Sequence, residues 1–394
     1  MNMKSVKFFL AAAAVLLAAS CGRGGLGEGG LVTFDYSQMT EGQDTLVFSD
    51  LAAEPEFIAL DSDTLDAFTA AKVLITENYL VKDAQAILSM APVRVFDRHT
   101  GRFICNVGHL GRGPGEYLNS SQTFVDEDGG RVWIMDAADR IKTYDLTSGK
   151  YLGTVPLAYK PMDEFGAGSA SFIVDGRAGT LTVMAVPYEE DACPAIAWCQ
   201  DLSGKILWEI PEAGRQRTRT PSNTLVGTSF NIDGALDVSF ESSGNWPDTL
   251  YVLEGDVLRP VFTVNTRSLK SGSSLKSTLL PGKVLSVLTE MQEYMPRIII
   301  GVPVANVLTD LKSGKSVSYP TEILNDFLGM YQGGYSIQCG YLVQSIPAEE
   351  FLVAAPQALE QGTLTGSAAK RVRAILSDLQ PTDNDVLMLA RLKD

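Results

Sequence analysis

Ile141-Lys-Thr-Tyr-Asp145-Leu-Thr-Ser-Gly149-Lys-Tyr-Leu152 is the stretch from which the fold can be read. Apolar and polar residues alternate up to Asp145, the chain turns through Gly149, and an extended run resumes. An aspartate placed there accepts hydrogen bonds from amides two residues on, and glycine takes the positive φ that closes the loop. Period-two alternation marks the flanks as strands. The same device recurs at residues 93–104 through Asp97 and Gly101. It recurs again at 196–207 through Asp201 and Gly204, and at 304–317 through Asp310 and Gly314.

The spacing of these hairpins carries the fold. Asp97 and Asp145 are 48 residues apart, Asp145 and Asp201 56, and Asp201 and Asp310 109. The last gap is a double period, and a degenerate copy sits inside it, with an apolar strand on each side of Glu254-Gly255-Asp256. Hairpins repeated about every 53 residues are the mark of propeller blades, because one such unit cannot bury its own faces and must stack on its neighbours. One blade reads almost whole, with strands at 123–125, 131–135, 141–145 and 150–157. A sixth blade is expected at 334–347, although its Asp/Gly turn is missing. Helices are expected at 348–360 and 367–379, the second with Ala368, Val372, Ile375 and Leu379 on one face. The tail at 386–392 reads as a strand that closes the ring beside an N-terminal strand at 57–60, which removes an open sheet edge. Residues 273–300 suit either strand or helix. The expected class is all-β, a six-bladed β-propeller with short C-terminal helices and a ring-closing C-terminal strand.

The start of the chain has the layout of an export signal. Lys4 and Lys7 precede an apolar run from Phe8 to Ala19, and small residues lead into Cys21. The run is too short for a membrane-spanning helix, which needs roughly 20 apolar residues. A cysteine at that point predicts cleavage before it and a lipid on its sulfur, which would hold the protein to a bilayer. The alternative is an ordinary secretory cut at residues 12–14 or 18–20. The expected division is a signal peptide at 1–20, a glycine-rich flexible tether at 21–44 and the propeller at 45–394. The expected location is the cell envelope, on the outer membrane, at its periplasmic face or the cell surface.

With 32 Lys and Arg against 47 Asp and Glu, the chain carries a net charge of −15. That excludes nucleic acid as a partner and a polybasic membrane patch. Four further cysteines are Cys105, Cys193, Cys199 and Cys339. Cys193 and Cys199 could bond only if Pro194 turned the chain, since six residues of straight strand span about 20 Å; the other reading is buried free thiols. Two histidines, His99 and His109, and no close cysteine pair leave no zinc signature, and no cofactor is expected.

These features together resemble the six-bladed β-propeller lipoproteins of Bacteroides-type bacteria, distant relatives of the NHL-repeat propellers. The resemblance rests on the leader ending at Cys21, the segment Gly108-His-Leu-Gly-Arg-Gly-Pro-Gly-Glu-Tyr117, the strands and turn from Trp133 to Asp145, and the ending Asp383-Asn-Asp-Val-Leu-Met-Leu-Ala-Arg-Leu-Lys393. It spans nearly the whole chain. Asn384-Asp385 stands where that family usually has Asn-Pro. The resemblance implies an envelope location and little about activity.

The glycine-rich segment is the one motif that invites a chemical reading. It lacks the Gly-Lys-Ser/Thr ending of a phosphate loop and the strand–helix context of a dinucleotide fingerprint. Structurally it suits a crossover between blades one and two, with Tyr117 filling a gap. If it binds a ligand, Arg112, Glu116 and Tyr117 are the candidate groups. No serine elbow accompanies His109. Carboxylates at Asp126, Glu127, Asp128, Asp136 and Asp139 lack the regular array of a calcium loop. Three functions stay open: a non-catalytic binder of a protein, peptide or glycan at the axial face; an enzyme of lactonase or lyase type with a metal or acid–base site in the channel; and a structural envelope component.

Overall fold

The computed structural model describes residues 30–42, 44–61, 72–83, 91–118, 120, 122–137, 140–161, 170–186, 193–212, 225–232, 235–241, 249–295, 298–331 and 334–393. The leader, Cys21 and the first part of the expected tether lie outside them. Six sheets of antiparallel strands follow one another around an axis. Blade one is Lys72–Ile75, Tyr79–Asp83, Arg94–Asp97 and Phe103–Asn106; blade two is Gln122–Asp126, Arg131–Ala137, Arg140–Asp145 and Tyr151–Pro156. Blade three is Ala170–Asp175, Thr180–Ala185, Ala195–Asp201 and Ile206–Pro211. Blades four and five run from Leu225–Ile232 to Val257–Val264 and from Ser273–Leu280 to Ser316–Tyr319. The stretch that suited either strand or helix holds the strands Ser273–Leu280 and Lys283–Met295, the latter pairing with Ile298–Asp310.

Blade six is assembled from both ends of the chain. Its first two strands are Tyr335–Gln338 and Tyr341–Ile346, its third is Val386–Arg391, and its outermost is Glu56–Ala59, in the order expected. Asn384 donates to the Asp61 carbonyl, the Leu60 amide to the Asp385 carbonyl, and Ser345 Oγ to Asp385 Oδ2 at 2.6 Å. The Asp/Gly turn is missing here because no turn exists: the third and fourth strands are joined by no chain. Between second and third strands lie the helices Ala348–Gln361 and Gly366–Asp378. Ala368, Val372, Ile375 and Leu379 are buried as the helical period requires. Phe351 meets Phe57 at 5.7 Å between ring centroids.

Described residues between 32 and 59 pack onto the edges of the propeller. Val32–Phe34 adds a fifth strand, parallel to the outer strand of blade four, and Thr40–Glu41 does the same on blade five. Phe34, Leu46, Phe48 and Leu51 are buried along this path. The segment is a strap over the rims of blades four, five and six. Its glycine content falls after residue 30, and its apolar residues anchor it.

Six buried apolar clusters hold the ring, one at each junction between neighbouring blades. Trp133 of blade two and Trp198 of blade three share one of them and are almost wholly buried. Each side chain of that size stabilises the interface by roughly 2–3 kcal/mol through burial. The hairpin turns add polar links. In Asp145-to-Gly149, Asp145 Oδ1 accepts from the Ser148 amide at 2.8 Å and the Thr147 amide at 3.2 Å, and Gly149 has φ 65°. Its carbonyl accepts from Gly108 at 2.8 Å, so the blade-two turn rests on the end of blade one. The equivalent turn of blade one rests in the same way on Ala59 of blade six.

A Cβ on Gly149 would lie 1.8 Å from the Asn106 carbonyl oxygen, whereas one on Gly314, with a similar φ of 70°, would meet nothing within 4 Å. Gly314→Ala should therefore cost only the backbone strain, about 1 kcal/mol, and Gly149→Ala roughly 2–4 kcal/mol in urea unfolding. Equal losses would show that the turns do not bear on their neighbours. Hydroxyls of Thr100, Ser148, Ser203 and Ser313 hold Asp97, Asp145, Asp201 and Asp310 below the ordinary carboxylate pKa. Depressed folded values contribute stability that is present above the unfolded pKa and lost as pH falls through the folded one. Thermal stability should decline below about pH 4, and less steeply when these four aspartates are replaced by asparagine.

Candidate functional site

The glycine-rich crossover follows the outer strand of blade one and leads toward the innermost strand of blade two. His109–Leu110 and Glu116–Tyr117 pair there as a short parallel ladder. Tyr117 is buried between the two blades, and its hydroxyl donates to the Val107 carbonyl at 3.0 Å while accepting from the Val93 amide at 2.8 Å. Its ring stands edge-on to Tyr144 at 6.0 Å. Burial raises the pKa of this phenol. Glu116 turns back into its own loop, where Oε2 accepts from the Gly113 amide at 2.7 Å. A Cβ on Gly111 would lie 2.1 Å from that oxygen, and one on Gly113 3.0 Å.

Gly111 and Gly113 therefore make room for a glutamate of the same segment, and the Gly113 amide donates to it while the Gly111 amide donates to the Tyr117 carbonyl. Lys142 secures the loop further by donating to the Glu116 carbonyl and pairing with Asp136 at 2.7 Å. Of the three candidate groups, Arg112 is exposed, Glu116 is half-buried and Tyr117 is enclosed. The structure brings Glu116 and Tyr117 into one loop core and leaves Arg112 outside it. His109 and His99 are exposed, on different loops. Cys193 and Cys199 are buried thiols not joined by a disulfide, with Cys193 Sγ directed at the Ala195 carbonyl at 3.3 Å. Among the described residues no three His, Cys, Asp or Glu side chains cluster as a metal ion requires.

A different place has the shape of a site. The innermost strands of blades six, one, two and three enclose a cavity of about 320 Å3 on the propeller axis. Phe124 and Phe172, with ring centroids 6.3 Å apart, form part of its wall, and Lys72, Gln122, Ser171 and Gln338 bring polar atoms to it. Beside it Asn231 of blade four ties two neighbours together, donating to the Leu279 carbonyl at 3.2 Å and accepting from the Gly340 amide at 3.3 Å.

The electrostatics of this cavity are set by one amine. Lys72 lies directly opposite Asp83 in the strand register of blade one. The Asp83 carboxylate is itself taken up by Ser120 Oγ and by Thr123 Oγ1, the latter at 2.7 Å. Burial lowers the Lys72 pKa, and the charges of Asp83 and Cys339 oppose the shift. Burial likewise raises the Cys339 thiol. Cys339 and Gly340 form the two-residue turn between the first strands of blade six, both with positive φ, 52° and 76°. Cys339 is the one non-glycine residue with positive φ among those described, which is a strained position.

Sequence reading did not single out Lys72, Gln338 or Cys339. The available signal was slight: Gln338-Cys339-Gly340 occupies a two-residue hairpin turn, where Asn-Gly or Asp-Gly is favoured.

A family model described as a domain of unknown function, DUF4934, matches residues 31–391. No curated protein matches the chain. Among solved structures, a Bacteroides fragilis protein whose name marks it as a candidate exported protein is similar at 16% identity and a TM-score of 0.56, covering 92% of this chain and 100% of its own. A member of the DUF4221 family from Bacteroides vulgatus aligns at 12% identity and a TM-score of 0.45, over 87% of this chain and 97% of its own. The first likeness agrees with the propeller fold described above.

Removing the Tyr117 hydroxyl leaves a buried amide and a buried carbonyl without their partner. Tyr117→Phe should cost about 1–3 kcal/mol in unfolding free energy. A variant as stable as the parent would show that the loop is not held by that hydroxyl.

Proposed function

The chain belongs to the DUF4934 family, and we propose that it is an exported envelope protein whose propeller holds a protein, peptide or glycan partner at its axial face without transforming it. The observation that carries this reading is the axial cavity of about 320 Å3, formed by four blades and edged by both apolar and polar side chains. Such concave, mostly apolar sites with a few polar groups are where ligands are held. The rigid ring supplies the frame, and the loops supply the choice of partner.

Export is supported by the leader before Cys21 and by the similar Bacteroides fragilis protein, itself named as a candidate for export. No helix among the described residues is long and apolar enough to cross a membrane. A lipid on Cys21 would supply the attachment to a bilayer, most simply the outer membrane, and the finer kinship with NHL-like propeller lipoproteins belongs to the same proposal. A channel enzyme of lactonase or lyase type would need acids, histidines or metal ligands converging from several blades. The described lining presents instead one lysine, one cysteine, amides and hydroxyls.

Two measurements test the proposal. In a bacterial host with two membranes, the full chain should incorporate labelled palmitate and sediment with membranes; Cys21→Ser should lose both. A parent chain that stays unlabelled and soluble would sink the lipid anchor. On peptide and glycan arrays the full chain should retain a ligand unchanged in mass, whereas release of a product would replace binding by catalysis.

A further inference from the structure

We propose that the axial cavity takes a ligand bearing a carboxylate, with Lys72 as its cationic anchor and Gln338 as a second donor; this rests on the binding reading above and narrows it to one ligand chemistry. The case begins with unmet hydrogen bonding. Among the described residues the Lys72 side chain makes no hydrogen bond or ion pair and feels Asp83 only through its charge, while the residue lines the cavity from the innermost strand of blade one. Asp83, opposite it in register, gives its carboxylate oxygens to Ser120 and Thr123. Gln338, on the innermost strand of blade six, lines the same cavity and has a buried Nε2 with no hydrogen-bond partner. An ammonium or amide N–H removed from water without an acceptor is costly, and natural interiors rarely leave one so. Both groups are donors.

What they lack in common is an acceptor, and a carboxylate offers two oxygens with about four lone-pair sites. The setting makes the cation more telling. With a net charge of −15 the protein as a whole repels anions, so affinity for one must come from a local positive group in a low-dielectric enclosure. Part of the lining is apolar and aromatic: Phe124 and Phe172 of blades two and three, and Leu74 on the same strand as Lys72. That pairing of a charge with a flat apolar surface fits a ring or short side chain carrying an acid group. The volume of about 320 Å3 lies near the small end of ligand pockets, roughly 300–1,000 Å3. It suits one sugar-acid residue or the C-terminal residue of a peptide, with the remainder of a larger partner on the axial face.

The test is calorimetric titration of the full chain with two matched pairs: galacturonic acid against galactose, and N-acetylphenylalanine against its amide. The two pairs separate the sugar source of the carboxylate from the peptide source. At least one acid should bind about tenfold or more tightly than its neutral partner. Lys72→Met should lose that preference, and Lys72→Arg should keep most of it, since the positive charge is preserved. Lys72 is only partly buried, so Lys72→Met should melt within about 3 °C of the parent, which separates lost binding from lost folding. Acid and neutral forms binding equally, or Lys72→Met binding as the parent does, would overturn the carboxylate assignment. If neutral glycans or peptides bind the arrays while neither acid binds in solution, the assignment falls and the binding reading stands. If nothing binds in either format, both fall.

Discussion

A four-stranded sheet has two apolar faces, and none of the six sheets here can cover both by itself. Each face is covered by the next sheet, so the ring has to close or leave one interface open to water. Closure is made by the antiparallel pairing of Val386–Arg391 with Glu56–Ala59, reinforced by Asn384 and Asp385 at the neck of the same blade. The junction it completes, between blades six and one, buries Ile58, Leu387 and Leu389 against Val73, Leu80 and Phe96. The axial cavity depends on that closure too, because two of its walls belong to those blades.

The polar groups serve the same stacking. The Asp–Gly turns of blades one and two reach sideways to the preceding blade, and the glycine-rich crossover between those blades is fastened by its own glutamate and tyrosine. The glycines of that crossover serve Glu116, whose carboxylate fills the space a side chain would need and accepts from the Gly113 amide. The strap of residues 32–59 brings a third kind of fastening, running across three rims before it supplies the closing strand.

Much of this was legible in the sequence because the relevant signals are local. Aspartate and glycine at a fixed offset, flanked by alternating strands, mark each hairpin without knowledge of its neighbours. The ends of blade six could be paired because a lone apolar strand at each terminus has no other edge to occupy. The strap was less legible: Val32–Phe34 is three residues long, and its partner lies some 230 positions away. The cavity was not legible at all. Lys72 and Gln338 meet only because their strands are innermost in blades that the ring places side by side, and nothing in either local sequence distinguishes a channel-facing polar residue from one facing solvent.

The alternation of strands gives the disc two unlike sides. Among the described residues, the turns that join first to second strands and third to fourth leave at one side, with glycine at many of their corners. The crossover from blade one to blade two and the helical insertion of blade six emerge at the other. A chain delivered end first, whether from a ribosome or through a membrane pore, meets a further consequence of closure. The strand at 56–59 is among the first to appear and must wait, unpaired, for the strand at 386–391, among the last. Until then the growing arc exposes an apolar sheet face at its advancing end, so such a protein has reason to be escorted, or to be held apart from its own copies, until the final strand is released.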